Sequence, residues 1–437
     1  MTEISTEDRQ ILQCLASDIV EIGSLPVHKE KAELWRRLND REPVRPLVYI
    51  NEEPVEELAA CSKELQCRCS DPFLKVIEQK LRRTLYRWQH YPVDSIVRPE
   101  VECPRAFAST GIGIRQQGAT IAHDAVSSQH FDAQISEMAD IEKIRMPVVT
   151  YDAEETQHRF EILSDILDGV APVRLTGVRH IWFTPWDFLI RLVDIQSIMM
   201  DMIMRPDFVY ALVTRYVDAK MHELDQIESL GLLDAGALNI RVGSGAYGYT
   251  GDLPAENSAG NGVPCLQLWG CGNAQIFSDV SPDMHWKFSL KHEMRWLKRW
   301  GMTYYGCCEP LHHKLPILRR IPNLRKISVS PWFDIPKGIE NGADKYVLSV
   351  KPNPAVLATD TFHEDQARRE IAALLDQAEG CSVELIMKDI STVRRDPPRL
   401  DRWSEIAMQE AEKRIPWPQR HCREDVCPSE NDQGTRE

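Results

Sequence analysis

From about residue 145 onward, short apolar runs rich in β-branched residues alternate with longer amphipathic segments. This alternation constrains the fold strongly, because strands separated by helical crossovers pair in parallel. The units recur about eight times at roughly 20 to 40 residues each, a spacing that suits a closed barrel better than a doubly wound sheet. The sequence therefore predicts an α/β fold, a (β/α)8 TIM barrel. The strand candidates are residues 147–150, Val173–Thr176, 238–242, Met302–Tyr305, 326–329, 346–349 and Val383–Met387.

The first hundred residues carry mainly helical patterns, at 6–22, 28–38 and 72–89. One short apolar run, at 46–50, is typical of a buried strand. We therefore expect an N-terminal helical extension over residues 1–44 and the barrel over residues 45–415. Residues 416–437 are polar and lack periodicity, which predicts a disordered tail. A further helix is predicted over residues 186–204, before a break at Arg205 and Pro206.

The composition indicates a folded globular protein without a nucleic-acid partner. The 437 residues are 43% hydrophobic, and the net charge of −14 opposes binding to phosphates. The first residues lack the basic and apolar stretches of a secretory signal. The most apolar run, residues 188–204, contains Arg191, Asp194 and Asp201 and therefore cannot span a bilayer. We expect a cytoplasmic protein with reduced cysteines and no membrane partner.

A glycine-rich segment, residues 243–248, matches the dinucleotide fingerprint G-x-G-x-x-G and follows a strand candidate. The fingerprint also requires a helix to begin at the glycines, because its N-terminus holds the pyrophosphate. Here Pro254 and further glycines follow, so a helix is excluded and the cofactor interpretation is rejected. Long loops of this kind tend to be functional. Tyr247 and Tyr249 are therefore candidates to line a substrate pocket, with packing under the loop as the alternative.

A dense group of candidate metal ligands follows the strand Met302–Tyr305. Cys307, Cys308, Glu309 and His312 are the residue types that zinc prefers, although they fit no standard zinc-finger spacing. Adjacent residues of a strand point to opposite faces, so we expect only one of the two cysteines to face a site. The alternative is that both cysteines are small buried hydrophobic residues.

Three further strand ends carry polar candidates for catalysis, because barrels place their active groups where strands end. Asp334 follows the run 326–329 and is either a general base or a helix cap. Lys351 follows the run 346–349 and either binds a substrate carboxylate or phosphate or simply faces water. Lys388 and Asp389 stand at the exit of Val383–Met387.

Several motifs together resemble the uroporphyrinogen decarboxylase superfamily, which includes cobamide-dependent methyltransferases. They are Asp40-Arg-Glu-Pro-Val44, Met146-Pro-Val-Val-Thr-Tyr-Asp152, Arg205-Pro-Asp-Phe208 and Ser281-Pro-Asp-Met284. Their order and spacing cover about residues 30 to 415. The resemblance implies a TIM barrel, and in its methyltransferase branch a zinc ion held near strand ends by an H-x-C motif and a later cysteine. Dimers are common for such barrels, so a homodimer is an open expectation.

The chain also departs from this family. The arginine-rich run that serves porphyrin carboxylates has no counterpart between Val44 and Cys61, where residues 51–53 are acidic. Tyr305 takes the place of the histidine in H-x-C, which makes it a candidate substrate-binding residue. Cys381 lies near the interval of the family's second cysteine, but it precedes its strand and so falls at the opposite end of the barrel.

The resemblance favours a zinc-assisted methyltransferase acting on a small substrate. Zinc would lower the pKa of an acceptor thiol, or polarise a methyl ether while a corrinoid on a partner protein accepts the methyl group. The chain lacks a D-x-H-x-x-G cobalamin motif, so any corrinoid would come from a partner. The alternatives are a metal-independent decarboxylase of a small carboxylated or porphyrin-like substrate and a non-catalytic barrel that binds a corrinoid protein.

Overall fold

The computed structural model describes residues 4–123, 126–234, 240–254 and 262–414, which form a mixed α/β fold. The strands are β1 (Leu47–Ile50), β2 (Val101–Pro104), β3 (Phe107–Ser109), β4 (Gly118–His123), β5 (Val126–Phe131), β6 (Val149–Tyr151), β7 (Val173–Thr176), β8 (Trp269–Gly272), β9 (Met302–Tyr305), β10 (Leu324–Val329), β11 (Val347–Val350) and β12 (Val383–Met387). The helices are α1 (Thr6–Gly23), α2 (Val27–Asn39), α3 (Val55–Cys61), α4 (Pro72–His90), α5 (Ala153–Ile166), α6 (Pro185–Leu189), α7 (Ile195–Met204), α8 (Pro206–Ser229), α9 (Pro282–His285), α10 (Lys291–Leu297), α11 (Leu315–Leu318), α12 (Ile335–Glu340), α13 (Ala355–Ala358), α14 (Glu364–Gln377) and α15 (Pro398–Glu412).

A parallel sheet of six strands, in the order β1-β12-β11-β10-β9-β8, forms the centre of the described structure. Every neighbouring pair in this sheet is parallel, and Ile50 is in register with Met387. The carboxyl ends of all six strands therefore meet at one edge of the sheet. The predicted parallel α/β organisation is confirmed, and β7, β9 and β12 have the predicted bounds.

The predicted closure into eight strands is not present among the described residues. The ladder ends at β1 and β8, while β2 and β7 form a parallel pair of their own. Asp94 accounts for the open edge at β1. Its carboxylate accepts a hydrogen bond from the Val48 N–H at 2.8 Å, and its own N–H donates to the Val48 carbonyl at 3.0 Å. A neighbouring strand cannot use the same two backbone groups.

Other elements differ from the sequence prediction. The helix expected over 186–204 is two helices, because the Asp194 carboxylate caps α7 by accepting N–H bonds from Gln196 and Ser197. The run 147–150 becomes β6, which pairs antiparallel with β3 rather than joining the central sheet. Strand β8, with two glycines among four residues, was not predicted. Residues 238 and 239 of the strand candidate 238–242, and the predicted tail 416–437, lie outside the described residues.

Helices α1 and α4 pack around a second hydrophobic cluster, which they share with β2 and α5. Leu12 of α1 and Leu81 of α4 lie in this cluster with Val101 of β2 and Leu163 of α5. A larger cluster lies between the central sheet and its crossover helices. In the part of the chain that the structure describes, no helix is both long enough and apolar enough to cross a membrane.

Candidate active site

Buried polar side chains recur on one face of three neighbouring strands. They are Lys326, Ser328 and Ser330 from β10 and the residue after it, Ser349 and Lys351 from β11 and its end, and Glu384 and Lys388 from β12 and its end. Because strand residues two apart share a face, these side chains project to the same side of the sheet. The sequence prediction missed all of them except Lys351 and Lys388.

The deepest of these groups form a buried ion pair. Lys326 Nζ lies 2.9 Å from Glu384 Oε2, and both side chains are fully buried. The same ammonium group donates to the Tyr247 carbonyl at 2.9 Å. The glycine-rich segment 243–248 reaches this pair closely: a Cβ at Gly245 would lie 2.2 Å from Glu384 Oε1. The glycines therefore allow close packing on the polar face, which explains the fingerprint without a dinucleotide.

Lys351 lies one layer above this ion pair. Its Nζ donates to Ser328 Oγ at 2.6 Å and to the Tyr304 hydroxyl at 2.9 Å, and the side chain is buried. Burial lowers the pKa of Lys351 to about 8, although the nearby Cys307 sulfur acts in the opposite direction. A lysine of this kind gives up its proton near neutral pH, which suits a general acid or an anion-binding group.

Cys307 is the most activated thiol of the site. The hydrogen bond from Cys308, whose sulfur lies 3.7 Å away, lowers the pKa of Cys307 to about 7. Lys388, with Nζ 3.2 Å from Cys307 Sγ, and Lys351 act in the same direction, while burial opposes them. The pKa of Cys308 is raised because it donates to Cys307. Cys307 is therefore the thiol that ionises first.

The turn after β9 brings both cysteines to the same side, contrary to the strand-based expectation. Gly306, with φ of +100°, redirects the chain before the cysteines, so strand alternation no longer applies to them. Glu309 fixes the turn: it accepts N–H bonds from Cys307 at 2.8 Å and from Ala274 at 3.2 Å. Its carboxylate is fully buried and both of its oxygens have backbone partners.

The Lys388 ammonium group lies between the Cys307 sulfur and the Asp389 carboxylate. Lys388 Nζ lies 3.2 Å from Cys307 Sγ and 3.1 Å from Asp389 Oδ2, and that oxygen lies 3.4 Å from Cys308 Sγ. Nowhere in the described ranges do three His, Cys, Asp or Glu side chains form a group that could hold a metal ion. A metal ion at Cys307 would require Lys388 to move away.

His312 and Asp334 are hydrogen-bonded to each other. The Asp334 N–H donates to His312 Nδ1 at 3.2 Å. The Asp334 carboxylate caps α12 by accepting the Lys337 N–H at 3.1 Å. Of the two roles considered for Asp334, the structure places it in the helix cap. Asp389 has φ of +56° and turns the chain directly after Lys388.

The three candidate tyrosines have packing contacts. Tyr247 is buried against Trp35 and Tyr49, and its hydroxyl accepts the Ile96 N–H at 3.1 Å. Tyr249 packs edge-on against Tyr247, with ring centroids 6.0 Å apart. The Tyr305 side chain is buried.

Tyr305 points away from the site, because it neighbours Tyr304 on β9. Its hydroxyl lies 2.8 Å from His285 Nε2. Of the two strand tyrosines, Tyr304 is the one that contacts Lys351.

No protein-family model matches the chain, and no curated protein matches it either. Among solved structures, a methyltransferase from Methanosarcina mazei has a TM-score of 0.48 and 12% sequence identity. The match covers 88% of this chain and 98% of that chain. A likeness at this level assigns neither a family nor an activity to the chain.

Proposed function

We propose that this chain is a methyltransferase whose reacting centre is the Cys307 thiolate. The observation that carries the proposal is the 3.2 Å contact between Cys307 Sγ and Lys388 Nζ, at the carboxyl ends of parallel strands. A thiolate held in this way is a reactive group in a position typical of α/β active sites. The motif resemblance supports methyl transfer as its chemistry.

The same contact supports a barrel-like curvature of the sheet. Cys307 follows β9 and Lys388 follows β12, which are three strands apart in the sheet. On a flat sheet such strands lie about 14 Å apart, further than the two side chains can span. The carboxyl edge must therefore curl inward, and the β2–β7 pair is the natural candidate for the remaining wall of a (β/α)8 barrel.

In the proposed reaction, the Cys307 thiolate accepts the proton of an acceptor thiol. The acceptor sulfur then attacks the methyl carbon of the donor, and the bond from that carbon to the donor heteroatom breaks. The leaving heteroatom takes a proton from the Lys351 ammonium group, whose pKa of about 8 suits this role. Cys307 afterwards returns its proton through solvent to Lys351, which restores both groups.

Zinc-assisted transfer is the second candidate, and the cysteine spacing favours it. Two sulfur ligands of one tetrahedral zinc ion lie about 3.8 Å apart, close to the 3.7 Å between Cys307 and Cys308. Lys388 would have to leave the group, and two further ligands would have to move in. A corrinoid on a partner protein remains a proposed methyl donor or acceptor in either version.

The test is a methyl-transfer assay with methylcobalamin, a methylated amine or an aryl methyl ether as donor and mercaptoethanol as acceptor. We expect a methyl thioether product, and a loss of at least about 100-fold in Cys307→Ser with every donor. In Lys351→Met we expect the same loss with the amine and ether donors, because cob(I)alamin leaves without a proton. Cys14→Ser, on the exposed face of α1, is the matched control and should retain activity. Zinc content, measured in the same preparations, separates the two candidates. Release of carbon dioxide without methyl transfer would instead support a decarboxylase.

A further inference from the structure

The open edge of β1 borders a cleft that the proposed reaction does not use. It lies between β1 and the segment leading into β2, and α4 lines one side of it. Two adjoining cavities, of about 470 Å³ and about 280 Å³, share Tyr49, Lys80, Thr84 and Arg241 in their walls. We call this space the seam cleft. Its size suits a small metabolite.

The seam cleft has more cations than carboxylates. Among the described residues, six cationic side chains line it, namely Lys80, Arg83, Arg87, Arg98, Arg179 and Arg241. In the ion pairs between described residues, four carboxylates face them, namely Glu52, Glu53, Glu100 and Glu102. This local excess of positive charge occurs in a chain with a net charge of −14. Cations that are concentrated in one cleft of an acidic protein make the local electrostatic potential positive, and this attracts anions.

Rigid elements hold these cations in place. Lys80, Arg83 and Arg87 recur at helical spacing and therefore share one face of α4. Arg87 also lies over the Tyr49 ring, 5.2 Å from its centroid. Arg241 donates to the Asn51 side chain at 2.5 Å. Each guanidinium carries five N–H donors. Arg83 contacts Glu53 through Nε, and Arg241 contacts Asn51 and Glu52 through one terminal nitrogen, so both arginines keep donors for a ligand.

We propose that the seam cleft binds a ligand with two or more anionic groups, either carboxylates or phosphates. Arginine forks match both groups geometrically, and several forks around one cleft favour a ligand with more than one charge. Asn51, in the wall of the cleft, follows β1 and donates its N–H to the carbonyl of Met387, the residue before Lys388. The inference rests on the cleft alone and does not require methyl transfer.

Isothermal titration of the full chain at low salt tests this inference, with citrate, pyrophosphate and acetate as probes. We expect citrate or pyrophosphate to bind and acetate to bind far more weakly. Stronger binding of citrate would identify a carboxylate site, and stronger binding of pyrophosphate a phosphate site. Affinity should fall with added sodium chloride, because the contacts are ionic.

The variants Arg241→Gln and Lys80→Gln should each weaken binding about tenfold, the loss expected for one charge-assisted hydrogen bond. Both side chains are about half exposed, and Glu102 keeps Arg179 when Lys80 is replaced, so folding should persist. Arg295→Gln removes a similarly exposed arginine, paired with Asp218, and is the matched control. Absence of binding, or equal binding by all three variants, would overturn the inference. Because no methyl donor is present, this result is independent of the methyltransferase assay.

Discussion

Cys307 and Lys351 are two titrating groups whose surroundings bring their pKa values close together. The Cys308 hydrogen bond and two lysine charges lower the pKa of Cys307 to about 7, and burial lowers the pKa of Lys351 to about 8. Between about pH 7 and pH 8, Cys307 is mainly a thiolate while Lys351 is mainly an ammonium group. One base and one acid of matched strength are what a proton-coupled transfer requires.

The pH dependence of the reaction follows from these two groups. Below about pH 7 the thiolate is protonated, and above about pH 8 Lys351 has lost its proton, so kcat/KM should be bell-shaped with its maximum between them. Lys351→Met should remove the alkaline limb and move the acid limb to higher pH, because the Lys351 charge also lowers the pKa of Cys307. The exposed Lys298→Met control should show both limbs. A wild-type rate that rises steadily through pH 9 would contradict the assignment.

Glu293 makes folding stability depend on pH. Burial raises the pKa of this carboxyl to about 8, with the charges of Glu309 and Asp187 adding to the effect. The folded state therefore favours the neutral acid. Its stabilising contribution is complete below the unfolded pKa, near 4.5, and is lost as the pH rises toward 8.

The variant Glu293→Gln should lack this dependence. The free energy of unfolding of the wild type, relative to the variant, should fall by about 1.4 kcal/mol per pH unit between about pH 5 and pH 8. Urea unfolding followed by circular dichroism at several pH values measures the difference. Parallel stability curves for the two proteins would show that Glu293 is not buried in its neutral form.

At the scale of elements, the ion pair between Lys326 and Glu384 links β10 to β12 across β11. The Glu384 carboxylate also accepts the Ala246 N–H at 3.3 Å, so the pair connects the sheet to the glycine-rich segment 243–248. Removing one partner leaves the other as an uncompensated buried charge, whereas removing both charges does not.

The losses of stability caused by substituting Lys326 and Glu384 should therefore not be additive. Lys326→Met alone should lower the free energy of unfolding by about 3–5 kcal/mol. The double variant Lys326→Met with Glu384→Gln should lose clearly less. Chemical denaturation of the single and double variants, with the exposed Lys298→Met as control, measures the coupling. A double variant less stable than the Lys326→Met single variant would show that the pair does not behave as a unit.

For the whole molecule, the sequence pattern predicted the parallel α/β organisation because crossover strands are apolar runs between amphipathic helices. It did not predict the open edge at β1, because that edge depends on Asp94 reaching Val48 from a distant loop. The split of the 186–204 helix depends on a helix cap at Asp194, within the most apolar run of the chain. Local caps and long-range side-chain contacts leave little trace in hydrophobic periodicity.

The site was predictable only at the strand ends. Lys351, Lys388 and Cys307 come together because they directly follow parallel strands, and the sequence pattern places those ends side by side. Lys326 and Glu384 were missed, although a charged residue at alternate positions of an apolar strand is a usable signal. Glu309 reaches its backbone hydrogen-bond partners because the chain turns at Gly306. Hydrophobic periodicity carries no information about the geometry of such a turn.

The central claim is that the Cys307 thiolate pairs with the Lys388 ammonium group. The alkylation rate of Cys307 as a function of pH tests this claim most directly. Iodoacetamide labelling of the full chain, read by peptide mass spectrometry, should give a midpoint near pH 7 for Cys307. In Lys388→Met the midpoint should rise by about one unit, because the nearest positive charge is gone. Labelling of the exposed Cys14 in the same samples controls for the reagent. A wild-type midpoint above about pH 9, or no change in Lys388→Met, would contradict the account.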